Sequence, residues 1–172
     1  MPSKRRVIFL DFDGVVNHPG IYRAIEEKYG TGSEADWHNF RESEWLDPKL
    51  VAKVGQLAIE TGSLIAVISS WRQRFDGPTL RAILRERGLP QEVRVNKCAH
   101  NCSKGEALDL YLKAQRRRGT PVDEWVVLDD SIGDLGELTP PRRWVRTSGA
   151  VGVTDADLEQ VRRVLGFRSR RF

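Results

Sequence analysis

Apolar residues along the chain fall into two patterns, short continuous runs and longer stretches with helical spacing. Residues 7–10, 63–68 and 125–128 are largely apolar at consecutive positions, which is typical of strands buried on both faces of a sheet. Shorter apolar segments around residues 93–95 and 144–146 predict two further strands.

Stretches with apolar residues three and four positions apart lie between these strands and predict helices. Asp47 and Pro48 are suited to begin one of them, and Ser103 with Glu106 has the spacing of a capping box at the start of another. The predicted helices run from 21 to 29, from 48 to Gly62, around 80–84 up to Gly88, from 103 to 118, and onward from Thr154. Because strands alternate with helices, we predict an α/β fold, a Rossmann-like three-layer sandwich with a mostly parallel sheet and helices on both faces.

The length and composition are those of an ordinary globular protein. The 172 residues are 40% hydrophobic and 30% charged, which predicts one domain over residues 1–172. No apolar run approaches the roughly 20 residues that a membrane helix needs, and Asp11 and Asp13 cut the first run too short for a signal peptide. We therefore expect a cytoplasmic protein without a membrane partner, while the oligomeric state stays open.

The net charge of +4 comes from an excess of arginine. The arginines concerned are Arg116, Arg117, Arg118, Arg142, Arg143, Arg168, Arg170 and Arg171. Such a surface attracts anionic partners, nucleic acid among them, but a solvated face with a basic terminus explains the charge equally well.

The two cysteines, Cys98 and Cys102, flank His100 in the segment CAHNC. Two cysteines do not make a disulfide framework. The three side chains are potential metal ligands, although a closed structural zinc site needs four. Ordinary packed or loop thiols are therefore the favoured interpretation, and a zinc site is the alternative.

Polar side chains follow three of the predicted strands, and a lysine opens a predicted helix. These residues are Asp11 and Asp13, Ser69, Asp129 and Asp130, and Lys104. Ligands of open parallel sheets bind beyond the carboxyl ends of the strands. The sequence therefore predicts that these side chains meet at one edge of the sheet.

Four carboxylates at one place repel each other and need a cation. Oxygen ligands of this kind suit Mg²⁺, which often bridges to a phosphate. Lys104 would oppose the dipole of its helix unless an anion binds there. The set predicts a metal with a phosphate site, in which one aspartate attacks phosphorus and a second, two residues along, protonates the leaving oxygen.

Four segments in order resemble the motifs of the haloacid dehalogenase (HAD) superfamily of phosphohydrolases. They are DFDGVVN, VISSWR, SKGEAL and VVLDDS. The resemblance implies that Asp11 is the nucleophile, that Asp13 is the acid/base and also binds metal through its carbonyl, and that Ser69 and Lys104 bind phosphate. The segments SSWR and LDDS further resemble the small HAD domains of bacterial and phage RNA-repair (Swiss-army-knife) proteins.

The fourth motif implies that Asp129 and Asp130 hold Mg²⁺ together with Asp11 and Asp13. Asp134 is an alternative to Asp130 as the second acid of this motif. Arg72, three residues beyond Ser69, either reaches substrate or makes a structural salt bridge.

Two further residues follow the first motif closely. Asn17 is expected to shape the turn after the motif, with ligand contact as an alternative. His18 is expected to be a solvent-exposed loop residue, with a place in the pocket as the alternative.

The resemblance also bears on access to the site. Cap modules of these enzymes follow the first motif or lie between the second and third, and only 55 residues separate Asp13 from Ser69. A helix and a strand of the core take up part of them, which leaves a small flap or minimal cap at about 17–46 and an open site. Four aromatic residues in or near this insert could stack on bases, although anchoring the insert is the favoured role; they are Tyr22, Trp37, Phe40 and Trp45.

The expected function is that of a Mg²⁺-dependent phosphomonoester hydrolase with an aspartyl-phosphate intermediate. Its expected partner is a phosphorylated substrate, with nucleic-acid 3′-phosphate ends or nucleotides as candidates. The alternative is a phosphate-binding or phosphotransfer module with weak turnover, part of a repair or regulatory assembly.

Overall fold

The computed structural model describes residues 4–167 except 33, 34, 36 and 132. The strands are β1 (Arg6–Leu10), β2 (Ser63–Val67), β3 (Val95–Lys97), β4 (Glu124–Asp129) and β5 (Trp144–Arg146). The α-helices are α1 (Pro19–Tyr29), α2 (Pro48–Thr61), α3 (Gly77–Glu86), α4 (Lys104–Arg117) and α5 (Asp155–Val164).

The strands form a parallel sheet in the order β3-β2-β1-β4-β5. Leu10, at the end of β1, is in register with Val67 of β2 on one side and with Leu128 of β4 on the other. Because these three strands are parallel and central, the residues that follow them emerge at the same edge of the sheet.

Helices cover both faces of the sheet, so the predicted α/β sandwich is confirmed. The alternating side chains of β1 show the two layers: Ile8 and Leu10 belong to a core with α2, α3 and α5, whereas Val7 and Phe9 pack against α4. All four are essentially excluded from solvent, which explains why the strand is apolar at consecutive positions.

The helix boundaries follow the predicted capping residues. The carboxylate of Asp47 accepts the N–H of Lys49 at 2.8 Å, and Ser103 with Glu106 forms the capping box of α4. Gly62 ends α2 in the left-handed conformation, with φ of 62°, which favours glycine. Val93 is not part of β3, because its N–H donates to the carbonyl of Pro90 and closes a turn.

The expected insert at 17–46 contains α1 and two short 3₁₀ turns, Trp37–Asn39 and Glu42–Trp45. Residues 33, 34 and 36 of this segment lie outside the described residues. Its aromatic rings pack on one another, with centroid separations of 5.3 Å for Phe40 and Trp45 and 5.6 Å for Tyr29 and Phe40.

In the described part of the chain, no helix has the length and apolarity required to cross a membrane. The arginines at 168, 170 and 171 lie outside the described residues. Arg143, by contrast, pairs with Glu124 at 2.8 Å and lies over the ring of Trp125. At least one arginine of the excess therefore packs against β4.

Candidate active site

Three aspartates meet beyond the carboxyl ends of β1 and β4. The N–H of Asp11 donates to the carbonyl of Leu128 at 3.0 Å, which continues the pairing of the two strands by one residue. Asp11, Asp129 and Asp130 each offer a carboxylate oxygen within 4.8 Å of the other two. Asp11 and Asp129 are buried and Asp130 is half-buried, so their mutual repulsion is poorly screened by water.

Lys104 brings a cation to this cluster from the first turn of α4. Its Nζ lies 2.7 Å from Oδ2 of Asp129 and 3.1 Å from Oδ2 of Asp11. Burial alone would lower the pKa of Lys104, but the two carboxylates outweigh burial and the net pKa is raised. Lys104 therefore stays charged, and the lysine that opposes its own helix dipole is explained by the acidic cluster it faces.

One ammonium group does not compensate three carboxylates. Burial and then the neighbouring charge of Asp129 raise the pKa of Asp11 to about 7, against the lowering effect of Lys104. Burial and Asp129 likewise raise the pKa of Asp130. The cluster thus retains protons at a pH at which isolated aspartates have lost them, a feature of a site that has affinity for a further cation.

The carboxylate of Asp13 does not belong to this cluster. Asn17 and the hydroxyl of Tyr22 donate to its Oδ1 at 2.9 and 3.3 Å, and the indole N–H of Trp71 donates to its Oδ2 at 3.2 Å. Burial, followed by the charge of Asp13, raises the pKa of Tyr22 to about 12, so the tyrosine keeps the proton that it donates. The predicted metal contact of Asp13 through its carbonyl stays a prediction.

Asp130 reaches the cluster because two glycines leave room for its side chain. A Cβ at Gly14 would lie 2.3 Å from Oδ2 of Asp130, and one at Gly149 would lie 3.0 Å from the same atom. Gly14 also has φ of 75°, a conformation that favours glycine. The glycine of the DFDG segment is thus needed twice, for its backbone conformation and for the approach of Asp130.

Asp134, in the loop after β4, contacts the first turn of α4. Its Oδ2 accepts the N–H of Lys104 at 3.0 Å, and its carbonyl accepts the N–H of Gly105 at 3.0 Å. The structure therefore brings Asp130, and not Asp134, to Asp11 and Asp129, while Asp134 fixes the helix that carries Lys104.

Ser69 lies two residues beyond the end of β2. The N–H of Ile68 donates to the carbonyl of Leu10 at 3.0 Å, so the chain at 68–69 runs along the start of the Asp11 segment. Ser69 is fully buried, and its Oγ accepts the N–H of Trp71 at 3.4 Å. Its predicted phosphate contact stays a prediction.

The expectation for Arg72 is corrected. Its side chain is 1% exposed and donates to backbone carbonyls at 2.6 to 3.2 Å, namely those of Ile68, Ser69, Ala99 and Cys102. The guanidinium is directed into the protein, where it ties the Ser69 loop to the segment before α4. Among the described residues its partners are carbonyl oxygens and not carboxylates, so the expected salt bridge is not formed. The expected substrate contact stays a prediction.

The residues after the first motif have structural partners. Asn17 is buried, and its Oδ1 accepts the N–H of Gly14 at 2.9 Å, as expected of a residue that shapes the turn. His18 is neither a free loop residue nor part of the cluster, because its Nε2 lies 2.9 Å from Asp47 and its Nδ1 accepts the N–H of Gly20.

The CAHNC segment does not assemble a metal site. Among the described residues, the aspartate cluster is the one group of three or more His, Cys, Asp or Glu side chains whose ligand atoms converge. Cys98 is buried, which raises the pKa of its thiol to about 12, and Cys102 Sγ lies 3.7 Å from the carbonyl of Ala99. A packed thiol at Cys98 and a partly exposed loop thiol at Cys102 fit the favoured interpretation, and the zinc alternative does not fit these observations.

Sequence comparison agrees with this geometry. Residues 7–158 match the family described as the HAD domain in Swiss Army Knife RNA repair proteins. The chain belongs to this family. No curated protein and no solved structure matches the chain.

Membership of the HAD family supports phosphohydrolase chemistry in general, and HAD domains generally use Mg²⁺. The residues present fit such an ion: three carboxylates converge, and Mg²⁺ prefers oxygen ligands. Burial, and after it the charge of Asp129, raises the pKa of Asp11, and a bound cation would offset both effects. Asp11, Asp129 and Asp130 are the side chains that could hold the ion.

Sequence reasoning missed the contacts of Asp13. Tyr22 belongs to the insert and Trp71 to the SSWR segment, and 49 positions separate them in the chain. Neither residue carries a spacing signal that points to Asp13, although Trp71 lies two residues from Ser69 in a segment that the resemblance had already marked.

Proposed function

We propose that this HAD domain is a Mg²⁺-dependent phosphomonoester hydrolase that forms an aspartyl-phosphate on Asp11. The proposal depends on one observation, the separation of two aspartates by their surroundings. Asp11 lies against Lys104 and the acidic cluster, whereas Asp13, two residues on, is held by neutral donors outside it. The proposal makes Asp11 the nucleophile because it faces Lys104, whose positive charge would stabilise a phosphoryl group attached to Asp11. It makes Asp13 the acid/base because its carboxylate lies outside the cluster and two residues away.

In the first step, a carboxylate oxygen of Asp11 attacks phosphorus while the bond from phosphorus to the leaving oxygen breaks. Asp13 gives its proton to the leaving oxygen, so the alcohol departs neutral. Lys104 and Ser69 hold the phosphoryl oxygens. Bound Mg²⁺ supplies positive charge that offsets the charge on the phosphoryl group.

In the second step, Asp13 is ionised and removes a proton from a water molecule. The water oxygen bonds to phosphorus, the bond from phosphorus to Asp11 breaks, and inorganic phosphate leaves. Asp11 is regenerated as a carboxylate and Asp13 as an acid. The hydrogen bonds from Asn17, Tyr22 and Trp71 keep Asp13 in one orientation for both proton transfers.

We propose nucleic-acid 3′-phosphate ends or nucleotides as substrates. The family description, which names RNA repair proteins, supports this choice. The net charge of +4 is also favourable for an anionic polymer.

The proposal is tested by a phosphate-release screen with 3′- and 5′-phosphorylated oligonucleotides, nucleotides, sugar phosphates and phosphopeptides. We expect turnover that requires Mg²⁺, that EDTA stops, and that Asp11→Asn abolishes. Asp109→Asn serves as a matched control, because Asp109 forms a solvent-exposed pair with Lys113 on α4. Tight phosphate binding without turnover of any ester would instead support the binding-module or phosphotransfer alternative.

A further inference from the structure

A cavity of about 250 Å³ lies against Asp13. It is lined by Asp13, Tyr22, Glu42, Trp45, Trp71 and Arg74. The insert supplies Tyr22, Glu42 and Trp45, the turn after β2 supplies Trp71 and Arg74, and Asp13 follows β1. The cavity is therefore formed where the insert meets the core. We refer to it as the aromatic pocket.

The aromatic walls of this pocket are fixed by packing. Tyr22 and Trp45 lie with ring centroids 5.4 Å apart and planes inclined by 59°. Trp71 packs edge-on against the buried ring of Phe12, with centroids 5.2 Å apart. Rings held in this way present apolar faces to a flat ligand without the entropy cost of ordering them.

The same pocket carries polar groups of both signs. A guanidinium nitrogen of Arg74 lies 3.6 Å from a carboxylate oxygen of Glu42, and their side chains are 70% and 40% exposed. An exposed pair of this kind contributes little to stability, so both groups are available to a ligand. Arg74 offers donors and Glu42 offers acceptors.

We propose that the aromatic pocket binds the nucleobase of the leaving nucleoside, an inference that rests on the proposed hydrolase function. Asp13 protonates the leaving oxygen in that function, so the leaving group lies beside Asp13, where the pocket opens. The volume suits a single ring system, and flat ligands stack on aromatic side chains.

The polar groups favour a nucleobase over a tyrosine ring. A nucleobase has donors and acceptors along its edge, which Arg74 and Glu42 can match. The ring of a phosphotyrosine has neither, and its only polar atom is the ester oxygen at Asp13. A phosphotyrosine would leave both charged groups without a partner from the ligand.

The kinetic test compares esters with and without a base, using Trp45→Ala. The substrates are adenosine 3′-monophosphate, a 3′-phosphorylated oligonucleotide, the same oligonucleotide with an abasic 3′ end, and a phosphotyrosine peptide. We expect the ratio of kcat/KM for base-containing over abasic ester to fall about 5- to 150-fold, the equivalent of about 1–3 kcal/mol per stacked base. Trp37→Ala is the control, since Trp37 belongs to the same insert but does not line the aromatic pocket, and it should leave this ratio at the wild-type value.

The two base-containing arms separate the sources of the nucleoside phosphate. A larger effect on the oligonucleotide indicates a strand end, and a larger effect on the mononucleotide indicates a free nucleotide; both support the inference. An equal loss on abasic and base-containing esters, or a loss confined to the phosphotyrosine peptide, overturns it.

A binding experiment separates failure of this inference from failure of the proposed function. Adenosine 3′-monophosphate and ribose 3-phosphate are titrated, with Mg²⁺, into ¹⁵N-labelled Asp11→Asn protein. We expect the indole N–H signal of Trp45 to shift with the nucleotide alone, and the signal of Trp125, which packs against Phe9, to stay constant. The signal of Trp71, whose N–H donates to Asp13, should shift with both ligands and so reports binding at Asp13. If the shifts depend on the base but the wild type hydrolyses no ester, the hydrolase proposal is rejected and the base-binding pocket is kept. If the wild type hydrolyses esters but no shift depends on the base, the base-binding pocket is rejected and the hydrolase proposal is kept.

Discussion

The side-chain nitrogen of Lys104 lies 3.1 Å from a carboxylate oxygen of Asp11, and the two side chains are only 13% and 5% exposed. The pair is therefore shielded from water, where opposite charges attract more strongly than at the surface. A second pair on the same helix, Lys113 with Asp109, is closer at 2.7 Å, but its side chains are 58% and 36% exposed. Burial, and not distance, distinguishes the two lysines.

We expect Lys104→Met to destabilise the Mg²⁺-free protein by about 3–5 kcal/mol, because the substitution leaves buried carboxylates without their cation. Lys113→Met, the matched control, should cost less than about 1 kcal/mol. Urea unfolding in EDTA measures both. Equal effects of the two substitutions would show that Lys104 does not compensate the acidic cluster.

The raised pKa of Asp11 predicts how stability depends on pH without metal. The folded protein holds this proton up to a pH of about 7, whereas the unfolded chain loses it near pH 4. The contribution of Asp11 to the free energy of unfolding is therefore fully present below about pH 4 and is lost as the pH rises to about 7. The urea midpoint of the wild type, relative to that of Asp11→Asn, should fall between pH 4 and 7 in EDTA.

Two further measurements check the Asp11 prediction. At pH 8 without metal, Asp11→Asn should be the more stable protein, since the amide carries no charge. Added Mg²⁺ should stabilise the wild type more at pH 8 than at pH 5. A constant difference between the two proteins across this range would contradict the raised pKa.

The strands and the meeting of the aspartates could be predicted because both depend on local pattern and parallel topology. Apolar runs ending in Asp11 and Asp129, separated by helices, leave few other arrangements in an α/β fold. The environment of Asp13 could not be predicted in this way. Its partners Tyr22 and Trp71 come from irregular segments, whose course depends on packing between distant parts of the chain.

Gly14 and Gly119 both have a left-handed backbone conformation, with φ of 75° and 71°. They differ in the atoms that a Cβ would meet. A Cβ at Gly14 would lie 2.3 Å from the Asp130 carboxylate, whereas at Gly119 nothing lies within 4 Å. Both alanine substitutions should cost about 1–2 kcal/mol of stability from backbone strain alone. Only Gly14→Ala should displace Asp130, and we expect the Mg²⁺ concentration for half-maximal activity to rise about 10- to 100-fold.

The control for the glycine prediction is built into the pair. If Gly119→Ala raised the Mg²⁺ requirement as much as Gly14→Ala, the effect would be general loss of stability. An unchanged requirement in folded Gly14→Ala protein would mean that Asp130 does not contribute to the metal site.

Arg72 is the residue whose interpretation changed most between sequence and structure. Its position three residues after Ser69 suggested a contact with substrate, because arginine often binds phosphate groups. The sequence could not show that the carbonyls of Ile68, Ala99 and Cys102 point at the same place. Those acceptors come from the ends of two loops, and a planar guanidinium with several donors can serve all of them at once.

We expect Arg72→Met to destabilise the protein by about 3 kcal/mol or more, since each buried carbonyl left without a donor costs about 1–3 kcal/mol. Arg81→Met, at an exposed position of α3, should change stability by less than about 0.5 kcal/mol. Urea unfolding measures both. Because Arg72 acts by positioning Ser69, any loss of kcat in the folded variant should be the same factor for an aryl phosphate and for a 3′-phosphorylated oligonucleotide. A stable variant whose KM is raised for the oligonucleotide alone would indicate that Arg72 contacts the substrate directly.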